Sequence, residues 1–303
     1  MNDRRLPSWR PGATRDALVG FLDAAAALPD EQKVAYVDND GTMWCEKPTY
    51  VQFDFFVEAL KGAVAADASV GDRDEFAALI SGDQERLGEI GLLRIAAALA
   101  TLFEGKTPDQ FTEAVRAFMA SAHHVGLDRP TRTVVYQPML ELLDELRRIG
   151  FTVGIITGGG TEFVRALAPD LYDVAAELVV GSQIRYEFKR DDRGRPYLSR
   201  TADLSGEVNE GAPKVEHIQA MIGRQPILAV GNSAGDKEML EWALAGDGPR
   251  LAMLINHDDA DREYAYESKA GSFTEEEPIL EMANRLGWLT VSIKNDWETV
   301  FSD

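Results

Sequence analysis

The residues Val34-Ala35-Tyr36-Val37 run straight into Asp38-Asn39-Asp40-Gly41-Thr42, and that junction constrains the chain more than any other feature. A short run rich in β-formers reads as a strand buried on both faces, as the strands of parallel sheets are. Ligands of open α/β sheets bind beyond the carboxyl ends of their strands, which puts Asp38 at the lip of a sheet. In extended backbone alternate side chains share a face, so Asp38 and Asp40 point the same way and suit one hard cation held by oxygens. Gly41 lets the chain turn sharply and approach a ligand closely. The same residues are also ordinary turn chemistry after a strand, so the weight of the reading rests on what lies downstream.

The spacing of apolar residues predicts a helix over 14–28, with Leu18, Phe21, Leu22 and Ala25 on one face and Pro29-Asp30 as its stop. After the strand at 34–37, the stretch from Cys45 to about Pro130 carries no strand pattern. It reads as amphipathic helices over 53–66, 74–80, 90–103 and 108–122, separated by Gly or Pro. Alternation then resumes: helix 138–149, strand 151–156, a turn at 157–160 into helix 161–167, and strand 177–184. A hairpin follows over 185–200, then helix 214–222, strand 226–230, helix 237–245 and strand 251–255. Strands alternating with helices predict an α/β fold built on a doubly wound, Rossmann-like parallel sheet. The helical stretch reads as an all-helical cap domain inserted after the first strand. The expected division is a core of 1–44 and 131–303 with a cap of 45–130.

The chain has 303 residues, enough for a core domain and a smaller one. Its formal net charge of −20 argues against nucleic acid or an anionic membrane surface as partner. It also means that any phosphate site needs local positive charge. The single cysteine, Cys45, fits a reducing compartment. Met1 to Pro11 lacks the apolar core of a signal peptide, and the apolar stretch Ala17 to Leu28 is interrupted by Asp23 and too short to span a bilayer. The expectation is a soluble, cytoplasmic protein.

Three further segments sit at strand ends or helix starts. Thr157 is followed by Gly158-Gly159-Gly160; a hydroxyl with exposed backbone N–H groups at a helix N-terminus makes an anion site. Lys214 opens a helix, the end where a cation is electrostatically misplaced unless it serves an anion. Gly231-Asn232-Ser233-Ala234-Gly235-Asp236 follows the strand at 226–230. There Asp236 suits either an N-cap or, with Asn232, the oxygen ligation of a Mg²⁺ held by Asp38 and Asp40.

Together these segments resemble the haloacid dehalogenase superfamily, whose signature is Asp-x-Asp-Gly-Thr, a strand-end Ser/Thr, a Lys, and Gly-Asp-x-x-x-Asp. The matching positions are Asp38, Asp40, Gly41 and Thr42, then Thr157, Lys214, Asn232 and Asp236. The resemblance implies that Asp38 is a nucleophile forming an aspartyl-phosphate and that Asp40 is the acid/base. It implies that Thr157, the Gly158 amide and Lys214 hold the phosphoryl oxygens, and that Mg²⁺ is the cofactor. The second Asp marks phosphatases rather than dehalogenases. Asn232 departs from the pattern, standing where most relatives have an acid ligand, and so should weaken metal affinity.

The insert resembles the C1-type cap of phosphoserine phosphatase and phosphorylcholine phosphatase relatives. That likeness makes Glu46 the candidate for meeting a substrate amino group. Trp44 and Tyr50 beside it would suit a quaternary ammonium, and Arg94 a substrate carboxylate. Trp44 and Tyr50 are equally readable as hinge packing, and Arg94 as a solvated surface residue. His123-His124, His217 and His257 have no metal-ligand spacing. The expected function is a Mg²⁺-dependent phosphomonoesterase acting on a small phosphorylated metabolite, phosphoserine-like or phosphocholine-like. The alternatives are a broad-specificity acid phosphatase or phosphotransferase, and a non-catalytic phospholigand-binding module.

Overall fold

The computed structural model describes residues 5–269 and 277–302. The chain begins with α1 (Ala13–Ala26) and β1 (Val34–Val37) and continues through five helices, α2 (Val51–Ala66), α3 (Asp74–Ser81), α4 (Gln84–Ile90), α5 (Leu92–Ala100) and α6 (Pro108–Ser121). Then come α7 (Gln137–Arg148), β2 (Thr152–Gly160), α8 (Thr161–Tyr172), β3 (Val179–Ser182), β4 (Ile184–Arg190) and β5 (Pro196–Leu204). The chain ends through α9 (Ala212–Met221), β6 (Leu228–Gly231), α10 (Lys237–Leu244), β7 (Leu251–Asn256), α11 (Ile279–Leu286) and β8 (Leu289–Ser292).

Six strands form one parallel sheet in the order β3-β2-β1-β6-β7-β8. Val37 of β1 lies beside Ile155 on one side and Val230 on the other. Alternate residues of β1 face opposite layers. Ala35 and Val37 pack with Leu18, Leu22, Leu142 and Phe163, whereas Val34 and Tyr36 pack with Ile218, Met239, Leu240 and Met282. Every residue of β1 is thus buried, which is what a strand with helices on both faces requires. This is the doubly wound fold expected from the alternation. The strand order reverses between β1 and β6, so the crevice beyond their carboxyl ends is the switch point where ligands of such sheets bind.

Helices form near the expected 53–66, 74–80 and 108–122. Helix α4 is not among those expected, and the helix expected over 90–103 is interrupted at Gly91 and is α-helical only over Leu92–Ala100. Helix α6 carries a capping box in which Thr107 and Gln110 exchange bonds. The hairpin is longer than expected and belongs spatially with the insert. Gly105 N–H donates to Arg200 O and Arg200 N–H to Lys106 O, both at 2.8 Å. Arg200 also stacks on Phe111 and pairs with Glu162 of α8 at 2.6 Å. The strand expected over 177–184 is only Val179–Ser182, preceded by a 3-10 turn at Ala176–Leu178. β8 has too short a run, Leu289 to Ser292, to announce itself without the sheet edge of β7 it pairs with. Trp297 is fully buried against Trp9 and Tyr136 and closes the C-terminal segment onto the core. Among the described residues no helix is long and apolar enough to cross a membrane.

Candidate active site

Asp38 is the first residue past β1, and its N–H continues the ladder to Val230 O at 2.9 Å. Its side chain is buried at the switch point. Lys214, near the start of α9, reaches across the crevice and donates from Nζ to Asp38 Oδ1 at 2.7 Å, Asp236 Oδ1 at 2.5 Å and Ile156 O at 3.3 Å. A lysine at the unfavourable end of a helix therefore serves two buried carboxylates. Burial opposes its charge, but Asp236 and Asp38 outweigh burial and hold its pKa above the ordinary lysine value. Asp38 is pushed up by burial first and by the charge of Asp236 second, with Lys214 pulling back.

Asp40 points into the same crevice. Its Oδ1 accepts the indole N–H of Trp44 at 2.8 Å, and its Oδ2 accepts the Thr157 hydroxyl and the Asn39 amide, each at 3.3 Å. Burial raises the pKa of this carboxyl, and those three hydrogen bonds moderate the rise. The Asp40–Thr42 turn is closely packed. Gly41 has φ of 75°, and a β-carbon there would lie 1.9 Å from Asn232 Nδ2, so only glycine fits. The Thr42 hydroxyl donates to Asp38 Oδ2 at 3.3 Å.

The glycine turn after Thr157 is an irregular end to β2 rather than a free loop, with its register against β3 shifting between Ile156 and Gly160. The Gly159 N–H donates to Thr157 Oγ1 at 3.0 Å, and the Gly160 N–H to Gln52 Oε1 of α2 at 2.8 Å. A β-carbon on Gly158 would meet Glu210 Oε1 at 2.9 Å. The structure thus brings Asp38, Asp40, Thr157 and Lys214 to one crevice, with Gly158 on its rim.

Several expectations need correction. Asp236 is engaged by protein donors: Oδ1 accepts Lys214 Nζ at 2.5 Å, and Oδ2 accepts Asn232 N–H, Ser233 N–H and the Ser233 hydroxyl at 3.1–3.3 Å. It caps the turn and anchors the lysine. Trp44 is not a substrate cage, because its ring is buried against Phe163 and Tyr172 and its N–H is spent on Asp40. Arg94 is exposed and donates to Glu75 Oε1 at 2.6 Å, a charge partner on α3. Glu46 is buried, accepting Asn232 Nδ2 at 3.2 Å, and burial pushes its pKa up to about 7. Tyr50 stands at the head of α2, partly exposed; burial first, and then the charges of Glu46, Asp40, Glu210 and Asp38, push its pKa up.

Other residues of the site carried no signal in the sequence. Asn209 donates to Thr157 O at 2.8 Å and steadies the end of β2. Gln52 and Glu210 come from segments with no motif. His257 donates to Gly41 O at 2.8 Å; it sits one residue past β7, so the same strand-end rule that picks out Asp38 would have found it.

Residues 35–241 match the family model of haloacid dehalogenase-like hydrolases. The chain belongs to that family. Among solved structures, the hydrolase is similar to a protein of unknown function from Bordetella pertussis Tohama I, at 14% identity over 86% of this chain and 98% of the other, with a TM-score of 0.52. It is also similar to a phosphoserine phosphohydrolase-like protein from Francisella tularensis subsp. tularensis SCHU S4, at 15% identity over 84% and 99% of the two chains, TM-score 0.39. A probable phosphoserine phosphatase from Vibrio cholerae is 17% identical over 75% of this chain and 57% of its own, TM-score 0.41. The first of these likenesses speaks to the fold alone. A search of curated proteins returned no match.

Proposed function

We propose that this hydrolase is a phosphomonoesterase that moves the phosphoryl group of a small phosphorylated metabolite first to Asp38 and then to water. The observation that carries the reading is Lys214 Nζ held between Asp38 Oδ1 and Asp236 Oδ1, with the half-buried Asp40 close by. Phosphoryl transfer asks chiefly for positioning and charge neutralisation, and a covalent intermediate divides one hard step into two. The ammonium neutralises Asp38 before attack and is placed to meet phosphoryl oxygens as that carboxylate's charge is spent on the new P–O bond. Asp40, a carboxyl whose pKa burial raises, is suited to hand a proton to the leaving oxygen and to take one from the attacking water.

The family implies Mg²⁺. The donors present are all oxygens, the chemistry such a cation prefers. With Asp236 spent on Lys214, the residues that would hold it are Asp38, Asp40 and the amide oxygen of Asn232. Among the described residues no three acid, histidine or cysteine side chains converge as a metal group, so this donor set carries less negative charge than a three-carboxylate one. When bound, the cation supplies neutralisation of charge on the phosphoryl oxygens.

An amine-bearing leaving group, phosphoserine-like or phosphocholine-like, is the substrate class we favour, because Glu46 and Tyr50 are near enough to Asp40 to feel its charge and follow the first motif in the chain. Phosphate release from p-nitrophenyl phosphate, phosphoserine, phosphocholine and sugar phosphates, each with Mg²⁺ and with EDTA, tests both points. Metal-dependent turnover that Asp38→Asn reduces by at least about 10³-fold is expected, since the nucleophile is lost. Turnover that survives in Asp38→Asn would sink the covalent route.

A further inference from the structure

His257 and Glu263 form a buried hydrogen-bonded pair next to the Asp40–Thr42 turn. Nε2 of His257 lies 2.8 Å from Gly41 O, and Nδ1 lies 3.1 Å from Glu263 Oε2. The ring stacks on Tyr266 with centroids 4.4 Å apart. Glu263 is saturated with donors: its Oε2 also accepts Tyr264 N–H at 2.8 Å, and its Oε1 accepts the Tyr136 hydroxyl at 2.8 Å and the Cys45 thiol at 3.2 Å. Burial pushes this carboxyl up, but the bonds from His257, Tyr264 and Cys45 outweigh it and hold its pKa below the usual range. A carboxylate and a peptide carbonyl can only accept, so both ring nitrogens must donate.

A buried ion pair of this kind costs desolvation and is weak ground for stability alone. What it does locally is fix one peptide. Gly41 follows Asp40 directly and has left-handed backbone, with its N–H on Trp44 O at 2.9 Å and its carbonyl on His257. The first bond holds the Asp40–Gly41 peptide and the second the Gly41–Thr42 peptide, so the backbone leaving Asp40 is held on both sides of Gly41. We propose that His257, oriented by Glu263, is a positioning residue for Asp40: by holding the Gly41 carbonyl it sets where the Asp40 carboxyl stands relative to the leaving oxygen. The inference rests on the phosphomonoesterase reading, in which Asp40 gives its proton to that oxygen as the P–O bond breaks and the Asp38–phosphorus bond forms.

Misplacement of Asp40 is felt most where the leaving group most needs a proton. The full-length protein with Mg²⁺ is therefore assayed on p-nitrophenyl phosphate, whose phenolate departs readily, and on phenyl phosphate, whose phenolate does not. The readout is kcat/KM, which reports the steps through leaving-group departure. His257→Asn keeps a donor towards Glu263 and loses the one to Gly41. It is expected to lower kcat/KM on phenyl phosphate by about 10- to 100-fold while costing p-nitrophenyl phosphate under about 3-fold. His257→Gln, which can still donate to Gly41 O, should recover most of that ratio, and Glu263→Gln should shift it the same way by less.

Equal losses on the two esters, or no loss, would overturn the inference. If His257→Asn does not fold, the same comparison in Glu263→Gln decides. Asp40→Asn is the control. A leaving-group dependence there without one at His257 removes only this inference. Its absence at Asp40, or no release by the wild-type protein from either ester, removes the underlying reading.

Discussion

The ammonium of Lys214 lies 2.7 Å from Oδ1 of Asp38, and both side chains are almost wholly buried. The contact joins the first residue beyond β1 to a helix start 176 residues later and places a cation where the strand order reverses. One ammonium faces two carboxylates, Asp38 and Asp236, so the group is a charge cluster rather than a simple pair.

Removing Lys214 leaves both carboxylates buried without their partner. Lys214→Met is expected to destabilise the protein by about 3–5 kcal/mol, the usual penalty for breaking one side of a buried ion pair. Lys214→Met/Asp236→Asn should recover part of that loss, because the double variant removes one of the uncompensated charges. Urea unfolding of the three proteins measures both values. A single variant as stable as wild type would mean that the carboxylates are already neutral.

Glu46 makes stability depend on pH in a definite direction. Its carboxyl titrates at about 7 in the folded protein against 4.5 when unperturbed, because burial disfavours the charged form. Between those values the folded state holds the proton more tightly than the unfolded one, so stability attributable to this group is full below about 4.5 and falls as pH rises to 7. The gap corresponds to roughly 3 kcal/mol. Glu46→Gln should abolish that fall, so the wild-type and variant curves of unfolding free energy against pH should converge at low pH and separate towards neutrality. Parallel curves would show that the Glu46 pKa does not change on folding.

Much of this was legible in the chain and some was not. β1, α1 and α7 follow from local apolar spacing, because their buried residues recur at the periods that strands and helices impose. Asp38, Asp40, Thr157 and Lys214 were readable because each sits at a strand end or helix start, where topology sends it to one crevice. The destination of Arg94 and the burial of Trp44 were not, because they depend on what stands opposite: Glu75 for the guanidinium, Phe163 and Tyr172 for the indole. Asp236 suits two roles in the sequence, and its contacts with Lys214 and with the N–H groups of Asn232 and Ser233 depend on residues brought together by the fold. His257 was passed over for lacking ligand spacing, though its bond is to a peptide carbonyl and needs none.

On the proposal that Asp40 is the general acid, the indole of Trp44 bears on its proton transfer. Trp44→Phe keeps the packing against Phe163 and Tyr172 but deletes the N–H on Asp40 Oδ1, a bond that holds the pKa of this carboxyl down. The Asp40 pKa should therefore rise further. In the kcat/KM profile for phenyl phosphate, the limb on which the general acid loses its proton should move to higher pH. An unmoved limb, with kcat/KM changed by the same factor at every pH, would place the indole outside the titration of Asp40.

If the proposed cation is held beside Asn232, an acid there should have opposite effects with and without it. Its Nδ2 donates to Glu46 Oε1 at 3.2 Å and to Ser268 Oγ at 3.3 Å. In Asn232→Asp the donor becomes an acceptor facing a buried carboxyl. Without metal this should cost roughly 1–3 kcal/mol, through the lost bond and like-charge repulsion. The added charge should at the same time strengthen Mg²⁺ binding, and a ligand that binds only the folded state raises stability by mass action. The variant is therefore expected to melt below wild type in EDTA and to gain more in Tm than wild type on adding Mg²⁺, with tighter binding in titration calorimetry. An equal gain in both proteins would show that residue 232 does not touch the cation, and that the amide is there to satisfy Glu46.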